Sequence, residues 1–188
     1  TKTGLFTLNE KTVEFVSGVE DEIKLYYFKE TGTEYPEIDQ VLERFDGLRK
    51  NIELVEVDPI LHPNYASALV GDEAAASLQF NSVIVSNETN GRSKLVLTTE
   101  MITSSIDYET YTETYTSDVE GQIASALMYV TNEELPVMYI MGGHGEVELT
   151  DVQKSLISKN NVDMVAFDAL SAEAVPEECD ILLINYPS

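Results

Sequence analysis

Residues 135–151, LPVMYIMGGHGEVELTD, constrain the fold of this chain more than any other stretch. A continuous apolar run at 137–141 ends at a glycine-rich loop, GGHGE, at 142–146. A helix start follows, because Thr150 and Gln153 have the spacing of a capping box. A buried strand, a glycine-rich turn and a helix in this order are typical of α/β proteins, which place their sites at the carboxyl ends of parallel strands.

The residues before this stretch predict alternating strands and helices. Ile23–Phe28 (IKLYYF) and Ile52–Val57 (IELVEV) have strand composition, and an apolar stripe at 36–50 predicts a helix between them. Residues 82–86 and 93–98 predict two more strands joined by a hairpin turn, since that turn contains Asn-Gly. Further helices are predicted at 7–18, at 62–70 and from Val119, and a loop is predicted at 108–118.

This element order is that of a thioredoxin-like domain with one extra helix in front. The crossover helix predicts that the first two strands are parallel, and the hairpin predicts an antiparallel pair. After Pro136 the order becomes strand, helix, strand, strand, which is the front half of a doubly wound sheet. We therefore predict an α/β protein with a thioredoxin-like domain at 1–134 and a truncated second α/β domain at 135–188.

Charge and cysteine content exclude several classes of function. With 11 basic and 34 acidic residues the net charge is −23, which repels nucleic acid and anionic lipid. The single cysteine, Cys179, excludes an internal disulfide and a cysteine-rich zinc site. Residues 29–35, which follow the first strand, contain no cysteine, so thiol exchange is not expected in the thioredoxin-like domain.

The GGHGE loop is the candidate functional site. It fails as a dinucleotide motif, because the third glycine of G-x-G-x-x-G would fall on Glu148. His144 and Glu146 could form an acid–base or metal pair, but zinc needs at least three ligands and His62 belongs to the other predicted domain. The favoured interpretation is structural: the glycines allow a sharp turn, and the polar side chains hold it. We predict no catalytic residue, metal or cofactor, and a possible binding or loop site at Gly142, Gly143, His144, Gly145 and Glu146.

Two further patterns have a structural and a functional interpretation. Tyr108, Tyr111 and Tyr115 lie among acidic residues and could stack on a sugar or dock a partner, although a solvated loop is favoured. Residues 87–89, Asn-Glu-Thr, match a glycosylation sequon, a short pattern that often arises by chance.

Residues 117–146 resemble the GldG-type auxiliary components of ABC transport systems, a family named for gliding motility. The family pattern has an acidic residue, a helix of small residues, Val-Thr, a proline before a strand, and then GHGE. The matching residues here are Glu120, Ser125-Ala126-Leu127, Val130-Thr131, Pro136 and Gly143-His144-Gly145-Glu146. Residues 5–12 and 52–59 are similar to two earlier motifs of the family.

The resemblance implies an extracytoplasmic domain at the cell membrane that acts beside an ABC permease and its ATPase. It also implies a second domain similar to glutamine-amidotransferase-like or flavodoxin-like sheets, without catalytic residues to transfer. Since the chain opens with Thr1 and stops at Ser188, we expect a fragment of a longer protein whose membrane helices lie elsewhere.

The predicted function is therefore a non-catalytic accessory domain that binds a partner protein or a substrate. The alternative is a hydrolase-like enzyme that uses His144 and Glu146. A calcium-binding surface module is a third possibility, but the chain lacks the Asp-x-Asp-x-Asp loop that would support it.

Overall fold

The computed structural model describes residues 7–29, 32, 35–107, 112–132, 134–143, 145–172 and 174–185. These residues form a mixed α/β protein with seven helices and nine strands. The chain divides into two compact units, Thr1–Thr131 and Asn132–Ser188. Within the described ranges, no helix is both long enough and apolar enough to cross a membrane.

A four-stranded sheet with strand order β2-β1-β3-β4 forms the centre of the first unit. β1 pairs in parallel with β2 and antiparallel with β3, and β3 pairs antiparallel with β4. The predicted parallel crossover and the predicted hairpin are therefore both present. The strands are β1 (Ile23–Phe28), β2 (Ile52–Val57), β3 (Ser82–Asn87) and β4 (Ser93–Val96).

Six helices surround this sheet: α1 (Glu10–Ser17), α2 (Pro36–Leu48), α3 (Tyr65–Val70), α4 (Asp72–Ala75), α5 (Thr98–Met101) and α6 (Val119–Thr131). The apolar stripes of α2 and α6 face inward, as their helical periodicity predicts. The predicted start of α1 at Thr7 is wrong. The side chain of Asn9 accepts a hydrogen bond from the backbone N–H of Lys11, and this N-cap makes Glu10 the first helical residue.

The strand β1 of the first sheet is buried on both faces, and it carries apolar side chains on both. Ile23, Leu25 and Tyr27 belong to the larger core, which also contains the apolar stripes of α2 and α6. Tyr26 and Phe28 point the other way, into a smaller cluster that includes residues of α3. The continuous apolar run at 25–28 in β1 is therefore a consequence of burial on two sides.

A hairpin of β5 (Ile102–Asp107) and β6 (Thr112–Ser117) forms a separate two-stranded sheet. The predicted loop is therefore wrong at 112–117, whereas residues 108–111 lie outside the described ranges. Every residue of β6 is exposed, so the strand shows no apolar alternation. Its threonine and tyrosine side chains favour a strand instead, and the hydroxyls of Ser105 and Thr114 hydrogen-bond across the pair at 2.7 Å.

The second unit contains a parallel three-stranded sheet with strand order β8-β7-β9. Its strands are β7 (Val137–Gly142), β8 (Asp163–Asp168) and β9 (Ile181–Leu183), and its helix is α7 (Asp151–Lys159). The predicted capping box is present. The Thr150 hydroxyl accepts a hydrogen bond from the Gln153 backbone N–H, and the Gln153 side chain accepts one from the Thr150 backbone N–H.

Replacing Thr150 by alanine is expected to destabilise α7 by about 1 kcal/mol, because one N–H of its first turn loses its acceptor. Hydrogen exchange in peptides that cover Asp151–Lys159 should then be about fivefold faster. Thr150→Ser keeps the hydroxyl and should exchange like the wild type. Equal exchange in Thr150→Ala and Thr150→Ser would show that the cap contributes nothing.

The turn between β3 and β4 depends on Asn87, whose side chain is buried at 0% exposure. Its Nδ2 donates to Asp21 Oδ2 at 2.8 Å and to the carbonyl oxygen of Val130 at 3.0 Å. Its Oδ1 accepts from the backbone N–H groups of Thr89 and Asn90. A glycosylated asparagine needs an accessible side-chain nitrogen, so the folded chain cannot be modified at this sequon.

Candidate functional site

The GGHGE loop begins where β7 ends, at Gly142. Gly143 and Gly145 have positive φ angles of 108° and 83°, a backbone region that glycine enters without steric cost. These two residues let the chain turn sharply at the carboxyl end of the strand, as the sequence predicts. His144 lies outside the described residues.

The carboxyl end of β8 packs closely against Gly143. A Cβ atom added to Gly143 would lie 2.8 Å from Oδ1 of Asp168 and 3.2 Å from Cγ of Leu170. The Asp168 carboxylate holds its own turn, because Oδ1 accepts from the Leu170 backbone N–H at 3.0 Å and Oδ2 from the Ser171 hydroxyl at 2.9 Å. This carboxylate therefore has a structural role beside the loop.

Asn185 holds the segment that follows the loop. The backbone N–H of Val147 donates to the carbonyl oxygen of Asn185 at 3.0 Å. The Asn185 side-chain amide donates in return to the carbonyl oxygen of Val147 at 2.8 Å. This pair of hydrogen bonds ties the chain after Glu146 to the segment that follows β9.

A cavity of about 380 Å³, here called the loop cavity, opens beside the GGHGE loop. Its volume lies in the range of ligand pockets, and its place at the end of a parallel strand is where α/β proteins bind ligands. Glu146 is half-buried, and Glu148 and Lys154 are exposed. Apolar side chains form much of the remaining wall: Ile140, Met141, Val147, Leu149, Met164 and Ala166.

The tyrosine at the centre of the second sheet is kept neutral. Tyr139 is buried, and its hydroxyl donates to Oε1 of Glu178 at 3.2 Å. Burial raises the pKa of Tyr139, and the negative charge of Glu178 raises it further. The phenol is therefore held in its protonated form, as the donor of this hydrogen bond.

The structure brings part of the predicted site together. Gly142, Gly143, Gly145 and Glu146 all line the loop cavity. The pairing of His144 with Glu146 stays a prediction, because His144 is not among the described residues. Across the described ranges, no three or more His, Cys, Asp or Glu side chains are placed to hold a metal ion. Cys179 is a free, half-buried thiol.

Asp168 and Asn185 were not predicted to belong to this region. Asp168 is the last residue of β8, and Asn185 comes two residues after β9. The carboxyl ends of parallel strands meet at one edge of a sheet. The polar residues at the ends of the predicted strands were therefore the signal from which Asp168 and Asn185 could have been found. Which of them contact the loop depends on strand order, which the sequence alone does not give.

Replacing Gly143 by alanine is expected to destabilise the second unit by about 1–3 kcal/mol, because the new methyl group meets Asp168 at a positive φ. The matched control is Gly142→Ala, since a Cβ atom there would meet no atom within 4 Å. The control should change stability by less than about 0.5 kcal/mol. Hydrogen exchange in peptides covering Val137–Gly142 separates the two, and equal exchange would contradict the prediction.

Comparisons with family models, with curated proteins and with solved structures find no match to this chain.

Proposed function

We propose that the chain is a non-catalytic extracytoplasmic accessory domain of an ABC-type transport system, binding a partner protein or a substrate of that system. The partners would be the permease and ATPase subunits. The resemblance of residues 117–146 to GldG-type auxiliary components supports this function. The net charge of −23 supports a protein partner over nucleic acid.

The observation that carries the proposal is the chemistry of the loop cavity. The side chains of Asp168 and Asn185 hydrogen-bond within the fold, which leaves them structural roles. Val147 lines the cavity with 58% of its surface exposed, and Leu170 beside Gly143 is also exposed. Exposed apolar side chains beside a concave apolar wall are typical of a binding surface rather than of a hydrolytic centre.

We also propose that the first unit is a thioredoxin-like scaffold and that the second belongs to a doubly wound, glutamine-amidotransferase-like or flavodoxin-like sheet. The strand order β2-β1-β3-β4, with one parallel and two antiparallel pairs, supports the first assignment. The parallel order β8-β7-β9 supports the second.

Purification of the full-length protein from its native membranes in mild detergent tests the function. We expect mass spectrometry to identify an ABC permease and its ATPase among the co-purifying proteins. The double variant His144→Ala with Glu146→Ala should recover them equally well, because the proposed contact is made by the apolar side chains of the loop cavity and not by these two polar ones. Recovery of the protein without a permease would contradict the accessory role. A hydrolytic activity that this double variant lacks would favour the alternative, an enzyme.

The variant Val147→Asp tests whether the loop cavity is the surface that binds the permease. A carboxylate in an apolar interface should lower permease recovery at least about tenfold, because its desolvation is not compensated. Leu156→Asp is the matched control, since Leu156 on α7 is 56% exposed and does not line the cavity. Equal recovery with both variants would show that the permease binds elsewhere on the protein.

A further inference from the structure

A second concave site, here called the hairpin cleft, lies in the first unit and has a volume of about 430 Å³. Four separate segments form it: the residue before α2, the segment before β3, the first turn of α5 and the β5–β6 hairpin. The segment before β3 adjoins the carboxyl end of β1, because the Asn81 N–H donates to the carbonyl oxygen of Phe28. The lining residues are Tyr35, Gln79, Phe80, Asn81, Thr98, Thr99, Ile102, Ser104 and Tyr115.

Three aromatic rings open onto this cleft. Tyr35, Phe80 and Tyr115 are 40%, 44% and 66% exposed. Aromatic side chains mostly bury their rings, so three exposed rings at one concave site leave a large apolar area uncovered. Tyr115 lies directly opposite Ser104 on the hairpin, which places a ring beside a hydroxyl on one face of the sheet.

Apart from Ile102, the other residues that line the cleft are polar and uncharged. The side chains of Gln79, Thr99 and Ser104 are exposed and make no hydrogen bond to any part of the chain that the structure describes. Charged residues are 24% of the chain, so about two of nine lining residues would be charged by composition alone. None of the nine is charged, and the Glu113 carboxylate beside them is hydrogen-bonded to the Tyr115 side chain, so a ligand without charge is favoured.

One residue that lines the cleft has a strained backbone conformation. Asn81 has a φ of 67°, which is uncommon for a residue other than glycine, and its side chain is buried. Its Oδ1 accepts a hydrogen bond from the Tyr27 hydroxyl at 2.9 Å. The Thr98 hydroxyl donates to the carbonyl oxygen of Phe80 at 2.6 Å. Strain of this kind is concentrated at binding sites, where the surrounding contacts maintain it.

We propose that the hairpin cleft binds a neutral saccharide. Its aromatic rings can stack on the C–H faces of sugar rings, and its free amide and hydroxyl groups can exchange hydrogen bonds with sugar hydroxyls. Proline-rich peptides also dock on exposed aromatic rings, so a proline-rich peptide is the other occupant that the test includes. The proposal does not depend on the transport role, because it follows from the first unit alone.

Titration of the 188-residue chain, labelled with ¹⁵N, with maltohexaose, cellohexaose and xylohexaose tests the proposal. At least one of them should bind with a Kd below about 1 mM and shift the amide signals of Thr99 and Ser104. Tyr115→Ala should weaken that binding at least about tenfold, and Tyr115→Phe should preserve it, because stacking needs only the ring. The matched control is Thr116→Ala, since strand alternation places Thr116 on the opposite face of the exposed β6.

Three results would overturn the proposal. The first is no binding of any of the three sugars up to about 10 mM, a concentration that detects weak ligands. The second is sugar binding that Tyr115→Ala and Thr116→Ala leave equally strong. The third is an uncharged hexapeptide of proline that shifts the same amides when the sugars do not. The titration contains no permease, so its failure is distinguishable from failure of the transport role.

Discussion

Replacing Asn87 by aspartate is expected to lower the free energy of unfolding of the first unit by about 3–5 kcal/mol at pH 7. The substitution keeps the shape of the side chain but removes both N–H donors. The introduced carboxylate would face Oδ2 of Asp21 and the carbonyl oxygen of Val130, two acceptors that the amide now satisfies. Because the site is completely buried, water cannot replace the lost donors.

The loss of unfolding free energy in Asn87→Asp should depend on pH. Burial next to Asp21 raises the pKa of the introduced carboxyl in the folded state above the value of about 3.9 of an unfolded chain. A raised folded-state pKa means that the folded protein prefers the neutral carboxyl group. The contribution of this neutral group to the free energy of unfolding is complete only below the pKa of the unfolded chain. That contribution is lost as the pH rises through the folded-state pKa, so the difference from wild type should be smaller at pH 4 than at pH 7.

Urea unfolding at the two pH values, with hydrogen exchange in peptides covering β1, measures this difference. Asn64→Asp is the matched control, because Asn64 is exposed and its side chain makes no capping hydrogen bond. The control should stay within about 0.5 kcal/mol of wild type. A deficit that is the same at both pH values would contradict the proposed cause.

Replacing Phe45 by alanine should destabilise the first unit by about 3–5 kcal/mol. Phe45 lies on α2 and is completely buried in the larger core. Removing its ring leaves a cavity that the neighbouring side chains fill only in part, so both transfer energy and packing contacts are lost. A loss of this size is a large fraction of the stability of an ordinary domain.

The urea midpoint and hydrogen exchange in β3 measure the effect of Phe45→Ala. Glu43→Ala is the control, because Glu43 is exposed on the same helix and alanine is at least as favourable for a helix. Phe45→Leu should fall between the two variants, since it keeps more of the buried volume. A Phe45→Ala protein as stable as Glu43→Ala would show that α2 does not pack as described.

Apolar periodicity was sufficient to predict the helices and strands that bury an apolar face in the core. β1, β2, β3 and β7 lie where their apolar runs predict, and α2 and α6 bury the predicted stripes. The ends of elements were less well predicted, because they depend on local polar contacts. The Asn9 cap of α1 is the clearest example, since one side-chain hydrogen bond moves the helix start from Thr7 to Glu10.

The hairpin of β5 and β6 could not be predicted from apolar periodicity. β6 buries neither face, so its side chains alternate between two solvated surfaces and give no hydrophobic signal. The high strand propensity of Thr112, Thr114, Tyr115 and Thr116 was the available evidence. Propensity alone is a weak guide, because strand stability depends mainly on packing and cross-strand pairs.

The GGHGE loop and the hairpin cleft differ in how far the sequence predicted them. The GGHGE loop is a local pattern, so its turn and its place at a strand end were predictable. The hairpin cleft combines segments from residues 35 to 115, and only the fold brings them together. The same applies to Asn87, which the sequence placed in a turn and a sequon. Its contacts with Asp21 and Val130 join residues 66 and 43 positions away.

The strand order of the first sheet has a consequence for biosynthesis. β1 lies between β2 and β3, and β3 begins 82 − 57 = 25 residues after β2 ends. At a synthesis rate of about 5–20 residues per second, one edge of β1 stays unpaired for about 1–5 s after β2 has emerged from the ribosome. A nascent chain with that apolar edge exposed is open to mispairing with other chains, so this interval is when a chaperone would benefit the protein most.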